Sequence, residues 1–387
     1  MHILFVESGY PKISGRSGGA GSYVKNYSTQ LIEMGHEVSV LCDQSSHYTT
    51  YFQDNCIHVY PFMGSGPIHY YISKIPIIRV FALLIRYLES GWKTHKQIRN
   101  IDKKKIIDFI EYTEGGDFWN AIFKKFNYIV HLHGSAYTIK KETGQIICRT
   151  DWYKRKAELF FISRALSIVS PSINMKELVE AESGKIFKNL SVIPYPIDPQ
   201  IEINDNFSHF NKSCDNVTIL FASRNDPLKG GEILINAIQN LSASIQKVID
   251  VQFYGYQPSK HSSIPDCITI NDFLPRNEFL KVYQYIDICV VPSYYDNSPN
   301  VIYESMARGK IVIASKVGGI PEIIADAENG YLFDIHNIND FTKTLTKAID
   351  LVLSGNDIQI RKNAQEKILS ISNNEKNVQK RLKLLQE

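Results

Sequence analysis

No C-x-x-C pair occurs among the six cysteines, which lie scattered at Cys42, Cys56, Cys148, Cys214, Cys267 and Cys289. That dispersion argues against a zinc site or a disulfide scaffold and predicts reduced thiols in a reducing cytosol. A long apolar run is also missing. The most apolar stretch, IPIIRVFALLIRYL at 75–88, contains Arg79 and Arg86 and is too short to span a bilayer. The N-terminus MHILFVESGY shows no basic region or cleavage site, so no signal peptide is expected and the reading is cytoplasmic.

Strong net charge is lacking too, at +3 overall. The balance is uneven, because residues 1–198 carry 24 Lys and Arg against 18 Asp and Glu, and the remainder 19 against 22. A basic N-terminal half points to an anionic partner, a membrane surface rather than nucleic acid. Two glycine signatures for phosphate are absent. In SGRSGGAGSYV (14–24), Val24 stands where G-x-G-x-x-G needs its third glycine after Gly19 and Gly21, and no G-x-x-x-x-G-K-[ST] exists. A nicotinamide-dependent oxidoreductase is thereby disfavoured. The loop still opens a helix and could present amides to an anion, but alone it is equally a flexible turn.

What is present is alternation. A chain of 387 residues is too long for one ordinary core. Short apolar runs (HILFVES, HEVSVLC, CIHVYPF, IIDFIEY, YIVHLHG, LSIVSPS, LSVIPYP) are interleaved with helical spacings. The polar stretch 197–216 reads as a linker. The pattern then restarts with VTILFASR, VQFYGY, CITINDFL, DICVVPS, IVIASKVG and YLFD, followed by two helices. Strands alternating with helices imply parallel sheets covered on both faces. The expected fold is α/β, with two Rossmann-like doubly wound domains facing a cleft. Residues 1–198 form one domain and 199–364 the other, and 365–387 is a helix packing back toward the first.

Ligands of such sheets bind beyond the carboxyl ends of strands. After the first strand of the second half, Arg224 and Lys229 flank a turn and could converge on a phosphate, although a solvated turn would look the same. HLHGSAYT (131–138) ends a strand. His131 and His133 share a face unless the strand stops between them, and Gly134 marks His133 as the ligand-facing residue. In YDNSPNVIYESMARG, Ser298 is expected to cap a helix with Pro299 in its first turn and Gly309 ending it. That geometry aims Asp296 and Glu304 at one place, where two carboxylates can grip a hydroxyl-rich, phosphate-bearing molecule such as a sugar nucleotide.

The segment PSYYDNSPNVIYESMARGKIVIASKVGGIPEIIADAENGYLF resembles the donor-binding signature of retaining glycosyltransferases of family 4, which have the GT-B fold. The family's E-x7-E appears as Asp296 to Glu304, its R-x4-K-G as Arg224 to Gly230, and its G-G-x-P-E tail runs from Gly318 to Phe333. The first half adds the glycine loop, GHEV at Gly35–Val38, and His133–Gly134. The resemblance implies transfer of a sugar from a nucleotide-diphosphate-sugar, most readily a UDP or GDP sugar, with retention and with no cofactor or metal required. It implies that Glu304 binds the ribose hydroxyls and Asp296 the sugar. Pro299, Asn300 and Val301 would lie at the diphosphate, Arg224 and Lys229 would stabilise its charge, and Leu274 would adjoin the base. Gly18 and Gly19 would approach the donor, and His133 would contact the transferred sugar. Asp296 departs from the family's first Glu by one methylene, which bears on donor choice. No D-x-D triplet exists for a metal-bridged diphosphate.

The stretch from Tyr70 to Lys105 holds nine Lys and Arg against two Asp and Glu, interleaved with aromatic and aliphatic residues. It fits peripheral contact with an anionic membrane, or equally a solvated helix. With the membrane reading, the acceptor is a glycan or lipid-linked glycan. Two other functions share this architecture. A sugar-nucleotide epimerase or hydrolase would recruit a further carboxylate such as Glu114 or Asp117. A non-catalytic sugar-nucleotide-binding protein would keep the site without the chemistry.

Overall fold

The computed structural model describes the chain except residues 8, 11–18, 44–50, 63–73, 75–81, 117, 124, 199, 202, 204–215, 260–261 and 385–387. Gly18, Asp117, Cys214, most of the linker and the first part of the basic stretch therefore lie outside the described residues. The chain divides into two compact units, Met1–Pro196 with Asn374–Glu387, and Ile197–Asn373.

The first unit is built on eight strands, β1 (His2–Val6), β2 (Glu37–Asp43), β3 (Phe52–Asp54), β4 (Ile57–Phe62), β5 (Phe109–Thr113), β6 (Tyr128–His131), β7 (Ser167–Ser170) and β8 (Leu190–Val192). They form one sheet in the order β3-β4-β2-β1-β5-β6-β7-β8. All neighbours are parallel except β3, which pairs antiparallel with β4. That edge hairpin departs from the all-parallel expectation. Its two-residue loop, Asn55 (φ 49°) and Cys56 (φ 67°), has both residues at positive φ, as a type I′ turn requires. β6 and β7 are buried on both faces, as interior strands of a sheet covered on both sides are. On the helix Gly19–Glu33, Tyr23, Val24, Tyr27 and Leu31 recur at helical spacing and are buried.

The second unit holds β9 (Val217–Ala222), β10 (Ile249–Tyr254), β11 (Ile268–Asn271), β12 (Ile288–Val291), β13 (Ile311–Ser315) and β14 (Tyr331–Phe333). All pairs are parallel, in the order β11-β10-β9-β12-β13-β14. This is the doubly wound Rossmann order, and its direction reverses between β9 and β12. Phe221, Phe253 and Tyr256 pack in its core, and Phe333 stacks on Phe341 at 3.8 Å.

Three helices rather than the expected two follow β14: Ile338–Leu353, Ile358–Ile371 and Asn374–Leu384. The second of them anchors the helix Asn300–Ala307. Buried Arg361 pairs with Asp357 at 2.6 Å and donates to the carbonyls of Gly309 and Asp287 at 3.1 and 3.3 Å, and Gln365 donates to that of Ala307 at 2.9 Å. A cation and an amide thus satisfy carbonyls left open at the helix C-terminus. The opposite end of that helix is held at the reversal point of the sheet. The third helix belongs to the first unit, where it packs on Gly19–Glu33.

Candidate functional site

In the second unit the loops after β9, β12 and β13 converge on Asp296. Beyond β9, Asp226 accepts from the amide of Leu228 at 3.0 Å and starts the 3₁₀ turn Pro227–Lys229. Gly230 follows at φ 75°, where a Cβ would lie 1.8 Å from the carbonyl oxygen of Pro292. The amide of Tyr294 donates to Leu228 O at 2.8 Å. This clamp brings Lys229 Nζ within 2.6 Å of Asp296 Oδ2. From the loop after β13, the amide of Gly319 donates to Asp296 O at 3.2 Å. A Cβ on Gly318, at φ 54°, would meet that carbonyl oxygen at 2.0 Å. Glycine is required at both positions, by conformation and by space. Arg224, at the start of the β9 turn, is exposed.

Glu304 is buried on the helix Asn300–Ala307. Its Oε1 lies 2.8 Å from Arg276 Nη2, and its Oε2 accepts from the Tyr283 hydroxyl at 3.0 Å. Arg276 also donates to Asp198 Oδ2 at 2.7 and 3.1 Å. Two carboxylates therefore share one guanidinium. Arg276 lies two residues beyond Leu274, in the segment after β11. The sequence reading marked Leu274 and passed over Arg276 and Asp198.

Ser298 does not cap the helix. Its Oγ donates to the Tyr303 hydroxyl at 2.8 Å, and Pro299 takes the cap position with no side-chain bond. The hydroxyl is drawn to a phenol in the helix's own first turn. Gly309, at φ 65°, follows the last helical turn as expected.

The first unit carries a second constellation. β6 ends at His131, so His133 lies in the loop beyond it, yet the rings meet, His131 Nδ1 to His133 Nε2 at 3.1 Å. His133 Nδ1 lies 2.6 Å from the Tyr195 hydroxyl. From the C-terminal helix, Arg381 Nη2 reaches His131 Nε2 at 2.7 Å. Nη1 of the same guanidinium lies 3.5 Å from Glu111 Oε1 and hydrogen-bonds the Tyr23 hydroxyl, which itself donates to Glu111 at 2.7 Å. A guanidinium can only donate. His131 Nε2 is therefore the acceptor, and its Nδ1–H donates to His133 Nε2. His133 in turn holds its proton on Nδ1 and donates it to Tyr195. One arginine fixes two tautomers in series.

Burial, with Arg381 adding to it, holds His133 down at about 3, and His131 is held well below the ordinary value. Both rings are neutral. Burial pushes Glu111 up against the opposing pull of Arg381. The loop bearing His133 is held from the other side by Glu114, whose Oε2 accepts from the amide of Gly134 (φ 107°) at 3.1 Å. Burial pushes the Glu114 carboxyl up to about 7; Arg155 lowers it, and Glu158 and Glu182 raise it. Gly19 begins the helix Gly19–Glu33. Its neighbour Gly21 serves close packing, because a Cβ there would lie 1.8 Å from Gly9 O.

The two α/β units, one on a mixed sheet and the other on a wholly parallel one, have the GT-B fold. Over the full chain the fold matches sucrose-phosphate synthase from Thermosynechococcus elongatus with a TM-score of 0.74 at 18% identity, covering 98% of that chain. It also matches Anabaena HepE in complex with UDP-glucose, with a TM-score of 0.71 at 16% identity, covering 100% of this chain and 99% of that one. Residues 17–201 match the family described as Glycosyltransferase Family 4, and residues 202–367 match Glycosyl transferases group 1. The two matches lie end to end over residues 17–367, each covering a little under half of the chain, and both models describe glycosyltransferases. A D-inositol 3-phosphate glycosyltransferase of Mycolicibacterium smegmatis is 33% identical over 150 residues, 36% of this chain and 34% of that protein. The chain thus matches about a third of that relative's length. The glycosyltransferase MJ1178 of Methanocaldococcus jannaschii is 26% identical over 288 residues, 72% of this chain and 75% of that protein.

Proposed function

We propose that the protein transfers a sugar from a nucleotide-diphosphate-sugar to a hydroxyl of a glycan or lipid-linked glycan, with retention at the anomeric carbon and without a metal. The observation that carries this reading is the Lys229–Asp296 pair at 2.6 Å, formed between loops from the two strands that flank the reversal of the second sheet. It sets a cation and a carboxylate side by side where open α/β sheets bind ligands.

In this reading Glu304 accepts from the ribose hydroxyls. Arg276 and Tyr283 fix its orientation and leave it lone pairs to do so. Leu274 adjoins the base. The helix start from Pro299 to Val301 meets the diphosphate, and Arg224 and Lys229 stabilise the charge that develops on it. Asp296 holds hydroxyls of the transferred sugar. The bond from the anomeric carbon to the phosphate oxygen breaks as the acceptor oxygen bonds to that carbon. The acceptor's proton passes to an oxygen of the departing phosphate. His133 contacts the sugar as a neutral ring, since both its nitrogens are engaged, and acts there as neither acid nor base. The UDP-glucose bound to HepE favours a UDP sugar.

The test is thermal shift with UDP-, GDP- and ADP-sugars, with and without EDTA. A ligand at about 100 times its Kd stabilises by about 2.7 kcal/mol. The expected result is a shift with one nucleotide class that EDTA leaves unchanged and Glu304→Ala removes. No shift with any nucleotide sugar would overturn the proposal.

A further inference from the structure

The helix Arg149–Ile162 of the first unit is amphipathic with its aromatic face turned outward. Asp151, Arg155, Leu159 and Ile162 point inward and are buried. Outward, at i, i+3, i+4, i+7 and i+11, stand Arg149, Trp152, Tyr153, Lys156 and Phe160, all exposed, with Arg164 just beyond the helix end. Trp152 is 46% exposed and Tyr153 60%, and the preceding Ile146 is 90% exposed. The cations lie over the rings, Lys156 Nζ 5.4 Å from the Trp152 centroid and Arg164 5.4 Å from that of Phe160. No acidic side chain shares this stripe. Asp151 pairs with Lys140 at 2.8 Å, and Glu158 pairs with the inward-facing Arg155 at 3.2 Å.

An ordinary solvated helix face mixes both charge signs and hides its aromatics. Here tryptophan, tyrosine and phenylalanine are retained in the open, interleaved with cations of one sign. The tryptophan and tyrosine rings have one apolar end and one wet end, the combination that suits a bilayer's headgroup level. We propose that this face, with Ile146 and Ile147, is where the protein docks on an anionic lipid surface. The aromatic rings enter the headgroup region and Arg149, Lys156 and Arg164 pair with lipid phosphates. This surface differs from the basic stretch 70–105. Several cations at the end of that stretch are engaged locally: Lys93 with Glu89 at 3.7 Å, Lys105 with Glu37, and Lys104 over Tyr60 at 5.7 Å. Charge complementarity selects the lipid as occupant, because a second copy of the same face would set cation against cation.

The test is co-sedimentation of the full chain with phosphatidylcholine vesicles, with and without phosphatidylglycerol. It compares the wild type with the charge-reversed R149E/K156E/R164E variant and with W152A/Y153A. All these positions are exposed, and a thermal melt confirms that each variant is folded. The expected result is binding only to phosphatidylglycerol vesicles, weakened by salt and reduced by about a hundredfold or more on charge reversal. The W152A/Y153A variant should bind about tenfold or more weakly and keep the salt dependence. The proposal is overturned by equal binding to neutral vesicles, by no binding at all, or by wild-type binding in the charge-reversed variant. A dimer that W152A/Y153A dissolves would assign the face to a second copy and overturn it as well.

Discussion

Arg381 Nη2 lies 2.7 Å from His131 Nε2, although the two residues are 250 positions apart in the chain. Its guanidinium also sits over the Tyr23 and Tyr27 rings, at 4.9 and 4.8 Å. The C-terminal helix thereby inserts a buried charge among groups whose only compensating carboxylate among the described residues is Glu111. Removing one partner of such a buried set leaves the rest uncompensated and costs about 3–5 kcal/mol. Arg381→Met is expected to lose that much in urea unfolding. Arg381→Lys should not restore it, because an ammonium cannot reproduce the planar fork that reaches His131, Tyr23 and Glu111 together. In nitrogen-15 spectra of the imidazoles, the wild type should show single Nδ1–H tautomers for His131 and His133. A tautomer mixture in the wild type would sink the series assignment.

Lys229 and Asp296 hold each other in the absence of donor, so each substitution disturbs the other. If Lys229 stabilises the leaving diphosphate, Lys229→Ala should lower kcat by about a hundredfold to a thousandfold, the range found for removing one preorganised charge-stabilising donor. Donor KM should change less. Asp296→Asn should raise donor KM and shift the ranking of sugars, since a neutral amide accepts fewer hydroxyl hydrogen bonds than a carboxylate. Steady-state kinetics on both variants separates the roles. Equal effects on kcat and KM in the two would mean that the pair only shapes the loops.

Gly230 and Gly318 test whether the loops after β9 and β13 must approach the β12 loop as closely as they do. Both have positive φ, and a Cβ at either would fall at about 2 Å from a carbonyl oxygen, of Pro292 and of Asp296 respectively. An L-residue in the left-handed region costs about 1–2 kcal/mol before any clash, and here backbone must also move. Gly318→Ala should lower the melting temperature and abolish the sugar-nucleotide shift. Gly35→Ala is the control. It has φ 81° and nothing within 4 Å of its would-be Cβ, so it should cost stability and leave the donor shift intact.

The sequence showed some of this and hid the rest for identifiable reasons. β12, the helix after it, and the turns at Arg224–Gly230 and Gly318–Glu322 are local, so spacing alone displayed them. Arg276 was hidden because its partners, Asp198 and Glu304, lie 78 positions before it and 28 after it. Arg381 was hidden for the same reason. The β3–β4 hairpin turns on Asn55-Cys56, which lacks the glycine that usually announces a type I′ turn. Ser298 carries the residue type of a cap, but Tyr303 offered its hydroxyl a nearer partner. The helix at 149–162 has apolar residues on both faces, so its sequence does not display which side is buried.

Glu114 supplies the pH dependence. Its carboxyl is raised from the usual 4.5 to about 7 in the folded protein, so between those values the native state binds more protons than the unfolded chain. Stability from this group is fully present below about 4.5 and is lost as pH rises through 7. His133, held at about 3 against an unfolded value of 6.5, acts in the opposite sense. Its contribution is present above about 6.5 and is lost as pH falls toward 3. Between 4.5 and 6.5 the two slopes oppose each other. Glu114→Gln keeps an oxygen for the Gly134 amide and removes only the titration. Relative to wild type, the variant should gain stability with rising pH between 4.5 and 7, at up to about 1.4 kcal/mol per pH unit. Urea unfolding of both proteins at pH 5 and pH 7 measures that difference. A gap that does not widen with pH would mean that Glu114 is ionised throughout, with Arg155 outweighing its burial.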